Sequence, residues 1–564
     1  SRRTGARRAS GSPRRGASRR QKTPRKAPVS GPAVWWKNGV IYQIYPRSFC
    51  DSNGDGTGDL RGIIGKLDYL AGLGIDAIWL SPINRSPMHD FGYDISDYYD
   101  IDPVFGTAGD FKELITGAHG RGIRVLMDLV LNHTSHLHPW FLSSRSSRSN
   151  PKRDWYIWRD GSRDRPPNNW RSNFGGSAWK WDDLTCQYYL HSFLEEQPDL
   201  NWRNPELRKA VFDMITHWLD SGVDGFRLDV VNWLVKDRRF RNNPAVPGAP
   251  FFQKHLYDRN RPETHDILKE LRRLLDRYGD RMAVGEVFTL PPGDPALSAA
   301  YLGNGEDGLN LAFDFSLIYR PWDARRFYRT IRRWMRHIPE KGWPCHVLSN
   351  HDQPRGISWY GGGRDDRKRA KVAAALLLSV RGTPFIYYGE EIGMRNCRVP
   401  RCDMRDPLGK RYWPLFAGRD PARSPMQWSP GENAGFSTAR PWLPVSVDYR
   451  QINVEEESRD PYSLLNFYRS LISIRKKKAA LHRGGWKPVL KGHHGILGYY
   501  RRDEGQTIFV ALNFTDKIKR VHIHDRGQWK VLLSTHRFVD THFTSLQFEL
   551  SPYEATIVEK IGAL

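Results

Sequence analysis

"DGFRLDVV", residues 224–231, sets an arginine and an aspartate two positions apart in a run of mostly apolar or small side chains. Side chains two apart on a strand leave the same face, so Arg227 and Asp229 would project together. Burying opposite charges costs several kcal/mol per ion unless partners are supplied, which makes such a pair a poor device for stability alone. An ion pair that fixes register and a functional pair at a strand end both fit these eight residues, and the surrounding sequence has to decide.

Outward from this stretch, short apolar runs alternate with amphipathic segments. The runs cover 40–46, 75–82, 123–133, 223–231, 282–288, 309–315, 345–352 and 383–391. Between the first two, Leu60, Ile63, Ile64, Leu67 and Leu70 follow helical spacing, with Gly72 and Gly74 as stop signals. Before the fourth, Asn204 and Pro205 read as cap and first-turn residue of a helix that buries Val211, Met214, Ile215, Trp218 and Leu219. Eight strand–helix units predict an α/β fold, a (β/α)8 TIM barrel over 31–133 and 204–470, whose active site lies at the C-terminal ends of the strands. Polar residues fall there: Asn132 and His133 end the third run, Asp229 the fourth, Glu286 the fifth, and His351 and Asp352 the seventh. Residues 134–203, rich in Trp, Asn, Gly and Ser, interrupt the alternation and predict a small inserted domain on the catalytic face. Beyond residue 470 a last helix leads into alternating β-rich runs, which predict a C-terminal antiparallel β-sandwich over 471–564.

At 564 residues the chain exceeds one small core, in keeping with a large domain plus smaller ones. The formal charge of +25 is uneven, since residues 1–30 hold 11 Lys or Arg and no acid, leaving +14 on the rest. That segment reads as a disordered basic tail, able to touch RNA, DNA or an anionic membrane without specificity, and it stands outside the fold argument. No run approaches the ~18–20 apolar residues of a membrane span. Five cysteines form a sparse, odd set unlike a disulfide framework, which points to a reducing cytoplasm. Nothing in the sequence sets an oligomeric state.

Five ordered motifs then carry a resemblance: DLVLNH (128–133), QPDLNW (197–202), GFRLDVV (225–231), VGEV (284–287) and SNHD (349–352). From about 36 to 560 the chain resembles the α-amylase superfamily of glycoside hydrolases, in particular its α-glucosidase and oligo-1,6-glucosidase branch. The resemblance implies Asp229 as catalytic nucleophile, Glu286 as general acid/base and Asp352 as a third, transition-state-stabilising carboxylate, acting on a small oligosaccharide. Arg227 would keep Asp229 ionised, and an apolar setting between Val284 and Val287 with nearby negative charge would keep Glu286 protonated. By the same resemblance Asp94, His133, His351 and Arg423 bind the innermost sugar and Tyr93 stacks on it. Asp128, mid-strand, is expected to support Arg227. Val230 is the residue associated with a preference for α-1,6 bonds.

DSNGDGTGD (51–59) spaces Asp51, Asn53, Asp55 and Asp59 like the start of a calcium loop, with glycines for the turn. Similar loops in this family hold one Ca2+ or Mg2+, so a structural cation is expected there; a solvated Asx/Gly turn is the plainer alternative. Three other functions fit parts of the chain: a non-catalytic superfamily homologue, a sucrose or maltose isomerase or transglucosidase on the same scaffold, and a nucleic-acid binder driven by the tail. The three carboxylates oppose the first. NHDQPRGISWYGGGRD (350–365) is a poor match to the Arg-rich loop of sucrose isomerases, and no specific nucleic-acid motif is present.

Overall fold

Each of the eight apolar runs forms a parallel strand: β1 (Ile41–Ile44), β2 (Ala77–Leu80), β3 (Arg124–Leu129), β4 (Gly225–Leu228), β5 (Met282–Gly285), β6 (Leu311–Ala312), β7 (Cys345–Val347) and β8 (Thr383–Tyr387). In the sheet they run β6-β5-β4-β3-β2-β1-β8-β7, so β1 lies between β2 and β8, as a closing (β/α)8 barrel requires. Across the β6/β7 seam the Cys345 thiol donates to the Ala312 carbonyl at 3.1 Å. Residues of the short strands are almost all buried, which is why they read as apolar runs rather than as alternation. The computed structural model describes residues 34–289, 293–361 and 363–562, so the tail expected at 1–30 lies outside it.

The helices obey the sequence signals. Asp59 caps the short α1 (Leu60–Ile64), and α2 (Leu67–Leu73) stops at Gly74, which is left-handed with φ 90°. Helix α3 (Ala108–His119) opens on a reciprocal capping box between Thr107 and Asp110. For α4 (Pro205–Asp220), Asn204 accepts the N–H groups of Glu206 and Leu207, and Leu207, Val211, Met214, Ile215, Trp218 and Leu219 form the buried face. Helices α5 (Glu263–Arg277), α6 (Ala324–His337) and α7 (Asp366–Ser379) follow β4, β6 and β7. Among the described residues no helix is long and apolar enough to cross a membrane.

Between β3 and α4 the chain makes a three-stranded antiparallel sheet from Trp158–Arg159, Gln187–Leu190 and Trp179–Asp182. It has its own core of Ile157, Trp170, Ala178, Trp179, Tyr188 and Leu190. After the short α8 (Pro407–Tyr412) and α9 (Leu464–Lys477), six strands pair into one antiparallel sheet: β9 (Gly485–Lys491), β10 (Ile496–Asp503), β11 (Gln506–Asn513), β12 (Lys519–Ser534), β13 (His542–Leu550) and β14 (Ala555–Gly562). Leu497, Tyr499, Ile508, Val510 and Leu512 join the barrel's core. Register shifts bend β12, and a second core around Trp529, Phe509 and Leu546 fills the other side of the sheet.

Candidate active site

The strand ends bring the acids together. Arg227 pairs in register with Val284, and Leu228 with Gly285, so Asp229 and Glu286 are the next residues on neighbouring parallel strands. Their backbones interlock: Glu286 N–H donates to Leu228 at 2.9 Å, and Val231 N–H donates to Glu286 at 3.0 Å. Val230 is left-handed (φ 35°, ψ 50°), an unusual conformation for a β-branched residue, and it turns the chain immediately after Asp229.

Arg227 is completely buried and serves three carboxyls. Its Nη1 donates to Asp128 at 2.7 Å and to Asp229 at 2.8 Å, and its Nη2 donates to Glu286. One planar guanidinium therefore fixes the two proposed reacting carboxyls relative to each other. Asp128 also accepts from Trp79 Nε1 and the Tyr93 hydroxyl, and so stands behind Arg227 as the sequence suggested.

The electrostatics separate the three acids. Burial pushes Glu286 up to about 8; Arg227 opposes this, while Asp229, Asp352 and Asp128 add to it. Burial also raises Asp229, against the pull of Arg227. Asp352 is the reverse: burial works against its ionisation, yet neighbouring positive groups hold it well below the usual carboxylate range. Those cations are Arg423, whose Nη2 lies 2.8 Å from Asp352 Oδ1, and Arg419, at 3.3 Å. His351, lowered by burial to about 3, is neutral at physiological pH and does not supply the charge.

A cavity of about 230 Å3 opens over these groups, lined among others by Asp90, Tyr93, His133, Asp229, Glu286 and Asp352. Two further segments add to its wall: Asn173, Phe174 and Phe193 of the insertion, and Leu408, Phe416 and Arg419 of the loop after β8. Tyr93 stacks on the buried His351 ring, with centroids 5.4 Å apart and planes 3° from parallel. Gln43 Nε2 lies 2.8 Å from His351 Nδ1, consistent with an Nε2-protonated ring that faces the Tyr93 hydroxyl. His133 lines the cavity but spends Nε2 on the Tyr93 carbonyl, at 3.0 Å.

Three expected sugar contacts lie away from the cavity lining. Asp94 does not face the cavity: it is fully buried and accepts from Ser86 Oγ and from the N–H groups of His89 and Asp90. Asp90, four residues earlier, lines the cavity instead, held by Gln197 Nε2 of QPDLNW at 3.3 Å. Likewise Arg423 sits behind Asp352, its Nε donating to the His351 carbonyl, and the arginine at the cavity is Arg419. Arg419 Nη2 donates to Asp90 and to Asp406, each at 2.7 Å. His351 is likewise withdrawn behind Tyr93 rather than exposed to the cavity. In both Asp and Arg cases the missed residue stands four positions before the chosen one.

The residues expected to hold a cation do not close a cage. Asp51 accepts N–H bonds from Asn53, Gly54 and Gly56, with Gly54 and Gly56 left-handed at φ 79° and 87°. Asn53 and Asp55 bond each other at 3.2 Å, but Asp59 turns away to Ser52 and to the Gly62 N–H as the cap of α1. Among the described residues no group of three or more His, Cys, Asp or Glu side chains is placed to hold a metal ion.

Comparison with known proteins agrees with this geometry. Residues 43–484 match the family described as "Alpha amylase, catalytic domain". The chain is 42% identical over 560 residues to an oligo-1,6-glucosidase of Parageobacillus thermoglucosidasius, covering 93% of this chain and 98% of the relative. It is 46% identical over 497 residues to a probable alpha-glucosidase of Rhizobium meliloti (strain 1021), covering 86% and 90%. The crystal structure of an alpha-glucosyl transfer enzyme, XgtA, superposes with a TM-score of 0.87 at 40% identity, over 94% of this chain and all of that one.

Proposed function

The chain belongs to the α-amylase family, and from that premise we propose that it is an exo-acting, retaining α-glucosidase that removes terminal glucose from short α-glucosides. The observation that carries this reading is one guanidinium, Arg227, holding Asp229 and Glu286 at adjacent strand ends within a walled cavity. Retention needs two carboxyls about 5–5.5 Å apart, one ionised and one protonated. With Glu286 at about 8, it keeps its proton at neutral pH, and Asp229, which burial also raises but Arg227 pulls down, is assigned as the anion.

In the first step Asp229 attacks the anomeric carbon while Glu286 gives its proton to the departing glycosidic oxygen, leaving a glucosyl ester on Asp229. In the second, Glu286, now a carboxylate, takes a proton from water as that water attacks the same carbon and frees Asp229. Asp352, kept ionised by Arg419 and Arg423, faces the positive charge that builds on the ring carbon between the two steps. Asp90, Arg419 and Tyr93 are proposed to grip the sugar in the cavity, with His133 beside them. The insertion and the loop after β8 wall the cavity, which suits a chain end rather than mid-chain starch.

The linkage proposed is α-1,6 in preference to α-1,4. It is supported by the oligo-1,6-glucosidase relative and by Val230, which lines the cavity beside the nucleophile. A structural Ca2+ or Mg2+ on Asp51, Asn53 and Asp55 is a separate part of the proposal, supported by the oxygen-rich loop, with Asp59 omitted because it caps α1. A cytoplasmic setting is supported by five free cysteines. Transfer of glucose to a second sugar is the alternative, favoured by the 40% identity to a glucosyl transfer enzyme and by the apolar wall of Phe174, Phe193 and Phe288. Measuring kcat/KM on isomaltose, maltose and starch, with NMR of the first product, tests the main reading. Isomaltose should lead, starch should trail, and α-glucose should appear first; β-glucose, or disaccharide products in excess of glucose, would overturn it.

A further inference from the structure

Helix α6, ARRFYRTIRRWMRH, carries six arginines and no acid. Ala324, Phe327, Tyr328, Thr330, Ile331 and Trp334 are buried, and the six guanidinium-bearing residues, Arg325, Arg326, Arg329, Arg332, Arg333 and Arg336, are all exposed. Among the described residues none of these six pairs with an acidic side chain. Arg325 with Arg329, Arg329 with Arg332 and Arg333, and Arg332 with Arg336 are three or four apart, spacings at which like charges destabilise a helix. The last turn gains from a positive charge near the helix C-terminus, which accounts for Arg336. Arg332 lies over the Tyr328 ring one turn earlier, 6.0 Å from its centroid, but no such contact accounts for Arg329 and Arg333. The basic surface continues onto the C-terminal sheet, where β9 packs beside α6 and carries exposed Lys487 and Lys491.

We propose that this face binds the phosphodiester backbone of a nucleic acid without reading its sequence. From Arg325 to Arg336 the stripe runs ~16 Å at ~1.5 Å per residue, long enough to meet several successive phosphates of one strand. The cations on the helix are arginine throughout, whose planar fork matches phosphate oxygens two at a time. Among the described residues the large exposed apolar side chains all lie outside α6, which therefore has nothing to insert into a bilayer as an interfacial helix does. With no exposed aromatic on α6 to stack a base, the contact is with the backbone. This surface is independent of the glucosidase reading.

The test is fluorescence anisotropy of a labelled, mixed-sequence single-stranded DNA of about 20 nucleotides with the full chain, from about 50 to 200 mM salt. The wild type should bind with log K falling linearly in log salt. The triple variant Arg329→Gln/Arg332→Gln/Arg333→Gln should flatten that slope by about 2 and weaken binding at least roughly tenfold at the lowest salt. Its kcat/KM on isomaltose should be unchanged and its melting temperature no lower, because like charges have been removed. The double variant Arg332→Gln/Arg336→Gln should flatten the slope by about 1.4, which keeps the test open should the triple fold poorly. A control with Lys112→Gln, Arg238→Gln and Arg239→Gln should bind like the wild type. Equal weakening in the control and the triple would assign binding to net charge, and wild-type-like binding by the triple would assign it to another surface such as the 1–30 tail; either result would overturn the proposal. Absence of wild-type binding at the lowest salt, or loss in the triple of binding to phosphatidylserine vesicles but not to DNA, would also overturn the proposal.

Discussion

Replacing Asp128 by Asn probes the charge balance without touching the reacting atoms. Asp128 is buried, accepts from Arg227 on Oδ1, and is itself raised by burial to about 7, so it becomes a full negative charge only near neutrality. The amide removes that charge and leaves Arg227 to Asp229 and Glu286 alone. Both changes favour ionised Glu286 and lower its pKa from about 8. A neighbouring charge moves a pKa by about 1–3 units, and Asp128 is the weakest of the acids acting on Glu286, so a fall of about 1 is expected. Half of Glu286 is then protonated at pH 8 in the wild type and about a tenth in the variant, a roughly fivefold drop in kcat/KM at that pH with little change near pH 6. The assay is the pH profile of kcat/KM on isomaltose for both proteins. An alkaline limb that stays in place, or moves to higher pH, would refute the assignment of that limb to Glu286.

Asp229→Asn should lower turnover by about 10^4-fold or more while leaving circular dichroism unchanged; substantial residual activity would remove Asp229 from the nucleophile's role. Glu286 has a folded pKa raised above its unfolded value, so the stability tied to its neutral form is lost as pH rises from the unfolded glutamate range through about 8. Glu286→Gln should therefore gain melting temperature over the wild type more at pH 8 than at pH 5, and equal differences at both would contradict the buried, proton-holding acid. Val230→Ala withdraws two methyls from the cavity wall, a contact worth ~1–3 kcal/mol, and the isomaltose-to-maltose ratio of kcat/KM should fall by roughly tenfold or more; no fall would detach linkage choice from Val230. Chelation by EDTA should lower the melting temperature if the 51–59 loop binds a cation in the native state, and an unchanged value would assign the loop to a self-bonded turn.

The barrel was legible because its strands are short and buried, so each shows as an apolar run, and because the acids follow those runs directly. What periodicity does not encode is where a loop turns. Between Met88 and Gly92 the chain passes three left-handed residues, Met88 (φ 64°), Phe91 (φ 49°) and Gly92 (φ 106°), and these reversals place Asp90 at the cavity while Asp94 closes the loop. Arg419 and Arg423 flank the one-turn helix Asp420–Ala422, and both reach Asp352. Only the tertiary position of Asp406, which also takes the Arg419 N–H at 2.6 Å, decides that Arg419 is the one held at the cavity. In the 51–59 loop a related local demand acts: Asp59 carries a suitable ligand oxygen, but a helix starts at the next residue and takes it as its cap.

The two charges in "DGFRLDVV" are also explained by counting what they serve. Asp90, Asp128, Asp229, Glu286 and Asp352 crowd one largely buried region against Arg227, Arg419 and Arg423, so full ionisation would leave negative charge that the three arginines do not balance. The region must keep a proton. The two arginines at Asp352 hold that carboxyl far below the usual range, and Arg227 divides its field among three acids, so the proton settles where compensation is least, on Glu286 at about 8. Burial, which the expected apolar setting between Val284 and Val287 supplies, is the largest cause of the raised Glu286, and the surrounding carboxylates add to it; the unequal sharing of three arginines is what sets Asp352 apart. A lysine at 227 would bring one point charge and no fork, and could not hold the nucleophile with one nitrogen and the acid with the other.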